Sequence, residues 1–168
     1  MGGSAGLGTD QAPGPGSHNL FREMRTASLL TKTLHKDPTR LPAWKTLQLA
    51  TIGGAKILGI DDKVGSLEVG KQADVITLNL RHPHLTPTVS RPFRNFIPNL
   101  VYSTNGTEVD NVIINGKVIL YEGKFVNINE QDILEEANIR AKRIFESASE
   151  DWKKANSKLV KYTQEGWL

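Results

Sequence analysis

A carboxylate becomes a reactive group when it is held rigidly and left open to solvent, and Leu7-Gly8-Thr9-Asp10-Gln11-Ala12-Pro13-Gly14 has the pattern for that. A short apolar lead runs into Asp10, and Pro13-Gly14-Pro15-Gly16 imposes a loop directly after it. Strand ends are rigid and the loops above them are open to ligand, which is where α/β enzymes place their chemistry. The octapeptide also suits a turn in which Asp10 hydrogen-bonds its own backbone and does no chemistry. Both readings stand on these residues alone.

The second constellation is His82-Pro83-His84. Two histidines one residue apart on a strand project to the same side and can share a metal. Pro83, with Pro87 and Pro92 beyond, cannot sustain a strand ladder, so two loop imidazoles are expected instead. His18 and His35 are isolated; His18 lies in the loop after Asp10, where it can face a ligand or start a helix. Gly53-Gly54 would suit a phosphate cradle, but no Lys-Ser/Thr follows it and no strand precedes it. No Ser-His-Asp spacing, nucleophile elbow or EF-hand loop is present.

The elements that must position these groups follow from periodicity. Residues 1 to 6 are small, and a strand leading to Asp10 has only Ala5 and Leu7 to build on. Leu20, Met24, Ala27, Leu30 and Leu34 recur at spacings of three and four, which predicts an amphipathic helix capped by Ser17 or Asn19 and ended by Asp37-Pro38. Pro42 at a first helical position opens a second helix, interrupted by Gly53-Gly54 before a turn closed by Gly59. From Val64 the period changes to two. A strand is expected over Ala73 to Leu80, and Asn115-Gly116 between Val112-Ile113-Ile114 and Val118-Ile119-Leu120 signals a hairpin. Asn129 caps a long final helix whose stripe of Ile133, Ala137, Ala141, Ile144, Ala148 and Trp152 is expected to pack by one face.

Composition narrows the class. The chain has 168 residues, 38% hydrophobic and 23% charged, which suits one globular domain or two small ones. A net charge of +3 and no basic run longer than a dipeptide argue against nucleic acid as a partner. From Glu130 to Leu168 seven Lys/Arg stand against eight Asp/Glu, so the tail is no basic arm. Without cysteine there is no disulfide, thiolate nucleophile or thiolate metal site. No apolar run approaches a membrane span and Met1 to Gly6 is unlike a signal peptide, so a soluble cytoplasmic protein is expected.

Three stretches together resemble a known family. Gly8-Thr9-Asp10-Gln11-Ala12-Pro13-Gly14 with Asn19-Leu20-Phe21-Arg22-Glu23-Met24-Arg25 is the first. Ala50-Thr51-Ile52-Gly53-Gly54-Ala55-Lys56-Ile57-Leu58-Gly59 and Gly65-Ser66-Leu67-Glu68-Val69-Gly70-Lys71-Gln72-Ala73-Asp74-Val75 follow. They are similar, over about residues 7 to 126, to the C-terminal part of an amidohydrolase-superfamily enzyme. The branch is that of methylthioadenosine/S-adenosylhomocysteine deaminases, 5′-deoxyadenosine deaminases and triazine hydrolases.

The resemblance implies an α/β fold: the C-terminal piece of a (β/α)8 TIM barrel, part of a composite β-sandwich and a long C-terminal helix. Residues 1–62 would be the strand-eight end and following helices, 63–126 the sandwich strands, and 127–168 a helical segment. It implies that Asp10 binds a divalent metal, zinc or iron, and relays the proton of the attacking water. Gln11 and His18 become the candidate substrate-binding residues. The implied reaction is hydrolysis of a non-peptide C–N bond of a cyclic amidine, foremost deamination of an adenosine-type nucleoside, a purine or a triazine.

The departures matter as much. The family's other ligands, a His-x-His pair and two single histidines, precede this Asp, whereas only nine residues precede Asp10 here. His82 and His84 do not replace them, because the resemblance places them in the sandwich. A barrel takes about 250 residues. The chain is therefore expected to be inactive alone and to need the missing N-terminal barrel segment or a complementary chain, with homo-oligomers open, a small-molecule substrate, and no nucleic acid or membrane. The alternative is a non-catalytic binding or assembly module derived from the same fold.

Overall fold

Asn19 begins the first helix because its side chain can take the place of a missing helical acceptor. Its Oδ1 accepts from the amides of Phe21 and Arg22, starting α1 (Leu20–His35). Lys36 in the left-handed conformation ends α1 one residue before Asp37-Pro38, its N–H bonding back to Lys32 and Thr33. The computed structural model describes residues 5–10, 18–155 and 157–167. Those residues fall into two units, Met1–Val126 and Asn127–Leu168.

In the first unit, α1 packs against α2 (Ala43–Gln48) and α4 (Phe96–Tyr102) around Met24, Ala43 and Val101. Leu7, Phe21, Leu47, Ala50, Ile97 and Tyr102 close around these three. The buried face of α1 keeps the first half of the expected stripe, with Met24 buried and Leu20 and Ala27 part-buried, but not its second half. Met24 and Ser28 are buried, whereas Leu30 is 55% and Leu34 72% exposed. Which face is buried depends on where α2 and α4 lie, and Ser28 is accommodated there because its polar group is matched. Its hydroxyl donates to the Leu41 carbonyl at 2.7 Å and lies 2.9 Å from the Tyr102 hydroxyl. Lys32 Nζ donates to the same Tyr102 oxygen at 2.5 Å.

Burial pushes the Tyr102 hydroxyl up, but hydrogen bonds from Lys32 and Ser28 and the Lys32 charge outweigh it and hold it below the ordinary tyrosine value. Tyr102→Phe removes the hydroxyl that accepts from Lys32 and bonds to Ser28. It is expected to cost about 1–2 kcal/mol, read as a lower urea midpoint with unchanged helical circular dichroism.

Pro42 is the extended cap residue before α2 rather than its first helical residue. Gly53-Gly54 does not interrupt the helix either. The chain runs through a π-helical turn, Leu49–Gly53, straight into α3 (Gly54–Leu58), which ends at left-handed Gly59. A wider turn absorbs what would otherwise be a break.

The strands β1 (Val75–Leu78), β2 (Val109–Ile114), β3 (Lys117–Tyr121) and β4 (Lys124–Phe125) form one antiparallel sheet in that order. β1 is shorter than the expected Ala73 to Leu80. Asn115 and Gly116, at φ 48° and 75°, make the expected hairpin, which pairs Ile114 with Lys117. Glu122 and Gly123 repeat the device before β4.

The second unit holds α5 (Glu130–Lys154), capped by Asn129, and α6 (Lys158–Gln164), capped by Ser157. Within its own unit α5 buries none of its residues, and Ile144 is 64% exposed. A 25-residue helix is about 37 Å long, and the 7 residues of α6 reach along about 10 Å of it at most. No helix among the described residues is long and apolar enough to cross a membrane.

Candidate active site around Asp10

The stretch from Ala5 to Asp10 has no regular secondary structure and pairs with no strand. Gly6 and Gly8 weaken it as a strand, so the expected β lead into Asp10 is replaced by docking on a helix. The Leu7 amide donates to the Leu49 carbonyl at 3.1 Å, and the Leu7 side chain packs on the Met24–Val101 core. Three residues on, Asp10 is exposed and left-handed, at φ 54°. Aspartate tolerates that conformation better than most residues, and it is one that tends to mark functional positions.

His18 is exposed and also left-handed, at φ 48°; it does not cap α1, since Asn19 does. Asn19 Nδ2 donates to the Asn105 carbonyl at 2.6 Å, pinning the start of α1 to the turn before β2. Gln11 lies outside the described residues, as do residues 11–16 of the turn that was the alternative role for Asp10. Among the described residues no three His, Cys, Asp or Glu side chains gather as a metal site. Asp10 by itself does not make one. A cleft of about 670 Å³ between α1 and the α2–α3 helix is lined by Arg40, Lys45 and Lys56, with none of residues 5–10 on its walls.

His82 and His84 sit in a 3₁₀ turn, Pro83–Leu85, with ring centroids 5.4 Å apart. They are more than loop imidazoles, because His84 Nε2 pairs with the carboxylate of Glu108, which is 1% exposed. Glu108 also accepts from the amides of Asn105 and Gly106, at 3.2 and 2.8 Å. Burial pushes its carboxyl up, but hydrogen bonds from its own amide, His84, Gly106 and Asn105 outweigh that and hold it below the usual carboxylate value. The pair clamps the turn after β1 to the start of β2. Sequence reasoning missed Glu108; its only trace there is an acid two residues after Asn105-Gly106 at a strand start.

The stretch Gly65 to Lys71 is likewise a structural latch. Lys71 Nζ donates to the Asp61 carbonyl and to Ser66 Oγ, both at 2.6 Å, and lies 3.3 Å from Glu68.

The amidohydrolase family model matches residues 2–119, a span that holds Asp10, all of the α1–α4 helices, β2 and the first three residues of β3. The chain belongs to the amidohydrolase family. It is 42% identical over 142 residues to a 5-methylthioadenosine/S-adenosylhomocysteine deaminase of Desulforudis audaxviator, covering 84% of this chain and 32% of that protein. It is 43% identical over 135 residues to a 5′-deoxyadenosine deaminase of Methanothermobacter thermautotrophicus, covering 80% and 30%. Among solved structures, an adenosine deaminase from Xanthomonas campestris with bound zinc superposes with a TM-score of 0.69 and 34% identity over 74% of this chain and 27% of that one. The amidohydrolase chain thus spans about a third of the length of the curated relatives it matches.

Proposed function

We propose that this chain supplies the proton-relay carboxylate of a metal-dependent deaminase, and that Asp10 is that group. The observation that carries the reading is the 42% identity across 142 residues with a deaminase of an adenosine-type nucleoside. The exposed, left-handed Asp10, held at the end of a docked peptide, is consistent with it.

In this reading residues 1–62 close a (β/α)8 barrel, residues 63–126 are strands of a composite β-sandwich, and residues 127–168 are an appended helical segment. Hydrolytic deamination adds water to the ring carbon that bears the amine and expels ammonia. The carboxylate of Asp10 accepts the proton of the attacking water and returns it to the leaving nitrogen, so the acid ends the cycle unchanged. Gln11 and His18 border the substrate. The divalent metal, zinc or iron, is a property of the assembled enzyme, with the remaining ligands on segments outside these residues.

The purified chain is therefore expected to hold no stoichiometric zinc by elemental analysis and to release no ammonia from 5′-methylthioadenosine. A hybrid in which it replaces the matching residues of the Desulforudis audaxviator deaminase is expected to do both. Zinc and turnover in the chain alone would refute the division of the site. An inert, metal-free hybrid with a native circular dichroism spectrum would instead favour a non-catalytic module.

A further inference from the structure

The Gly53-Gly54 pair is too close to other backbone to be an accident of helix composition. A Cβ on Gly53 would lie 2.9 Å from the Ala5 carbonyl oxygen and 2.9 Å from that of Gln48. From the other side, a Cβ on Gly6 would lie 2.9 Å from Gly54 Cα and 3.2 Å from its nitrogen. Gly54 itself has room, since its Cβ would meet nothing nearer than the Leu49 carbonyl oxygen at 3.7 Å. Two backbones are therefore in van der Waals contact, with glycine on each face of the contact.

The π turn Leu49–Gly53 lies directly beneath it. Where a helical ladder changes step from four residues to five, a carbonyl is open to an outside donor, and here Leu49 receives the Leu7 amide at 3.1 Å. Contact and hydrogen bond grip residues 5–7, and Asp10 follows three residues later.

We propose that Gly53, Gly6 and the π turn form a platform that positions Asp10, making the two glycines positioning residues for the reaction. The inference rests on the reading of Asp10 as the proton-carrying carboxylate. It differs from a phosphate cradle, because what Gly53 receives is the chain's own backbone. A carboxylate displaced by even 1 Å loses much of its catalytic value, so the platform acts on turnover rather than on substrate affinity.

The absence of cysteine makes the test direct, because Asp10→Cys with Arg25→Cys on exposed α1 carries two unique nitroxides. Pulsed electron paramagnetic resonance on the full chain is expected to give a narrow distance distribution, retained in Gly54→Ala. Gly53→Ala and Gly6→Ala are expected to broaden it about twofold or more and to cut hydrogen-exchange protection of the Leu7 amide about tenfold or more. Gly6→Ala leaves the helix sequence intact, so it decides the matter if Gly53→Ala fails to fold. In the hybrid deaminase Gly6→Ala is expected to lower kcat about tenfold or more with KM within about twofold.

Unchanged spectra and Leu7 protection in both variants would overturn the platform, and so would a change in KM alone. Neither spectroscopic measurement uses the Asp10 carboxylate. A hybrid that keeps its turnover with Asp10→Asn therefore refutes the role of Asp10 separately from the platform.

Discussion

Asp10→Asn in the hybrid deaminase is expected to lower kcat roughly 100- to 10,000-fold, the range typical of removing a general acid–base group. The amide is nearly isosteric with the carboxylate but neither accepts a proton from water nor returns one to the leaving amine. Asp10 is exposed, and a surface substitution of this kind usually changes stability by less than about 0.5 kcal/mol. The urea midpoint and hydrogen-exchange pattern of the isolated chain should therefore match the wild type. If Gln11 and His18 border the substrate as proposed, their substitution should instead act mainly on KM. An Asp10→Asn hybrid within threefold of the parent kcat would remove Asp10 from the mechanism.

The largest effect on stability is expected at Glu108. Glu108→Ala takes away the shared acceptor of the Asn105 and Gly106 amides and of the His84 ring, at a position that is itself 1% exposed. Removing a buried acceptor that serves two amides and a part-exposed imidazole costs about 1–3 kcal/mol, a sizeable fraction of the stability of a small domain. Glu108→Gln keeps the shape and one acceptor oxygen, and separates charge from volume.

The pH dependence has a definite sign. The folded carboxyl titrates below its ordinary value, so the unfolded chain binds more protons in the acid range. The stabilisation from ionised Glu108 is full above the unfolded carboxylate range, about pH 4.3, and is lost as pH falls through the lower folded value. Urea midpoints of wild type and Glu108→Gln should thus differ at pH 6 and converge toward pH 3. A constant difference over that range would mean that the charge on Glu108 contributes nothing.

Much of the architecture was legible in local sequence because local chemistry decides it. Asn19 and Asn129 cap α1 and α5 with their own side chains, and Asn115-Gly116 admits the positive φ that a two-residue hairpin requires. Family membership was legible from the order and wording of three stretches, and the match to residues 2–119 agrees with it. The covered faces were not legible. Leu30 and Leu34 continue the apolar stripe of Met24 on α1, yet the neighbours of that helix cover Met24 and the polar Ser28 and leave both leucines exposed. The stripe on α5 is equally regular, and within its own unit nothing is buried along it. Periodicity states which side a helix can bury, and only a partner decides which side it does.

For this protein, then, the residues themselves determined where helices start, where the chain reverses, and that an aspartate is carried between a short apolar lead and a run of Pro and Gly. Each of these depends on groups within about four residues of one another. Tertiary structure alone decided that the lead rests on a π turn rather than in a sheet. It also decided that Gly53 serves the backbone at Ala5 48 positions earlier, and that His84 guards a buried Glu108 24 residues away. Those relations join residues distant in sequence, and backbone contact and buried charge leave no periodic trace for a sequence to display.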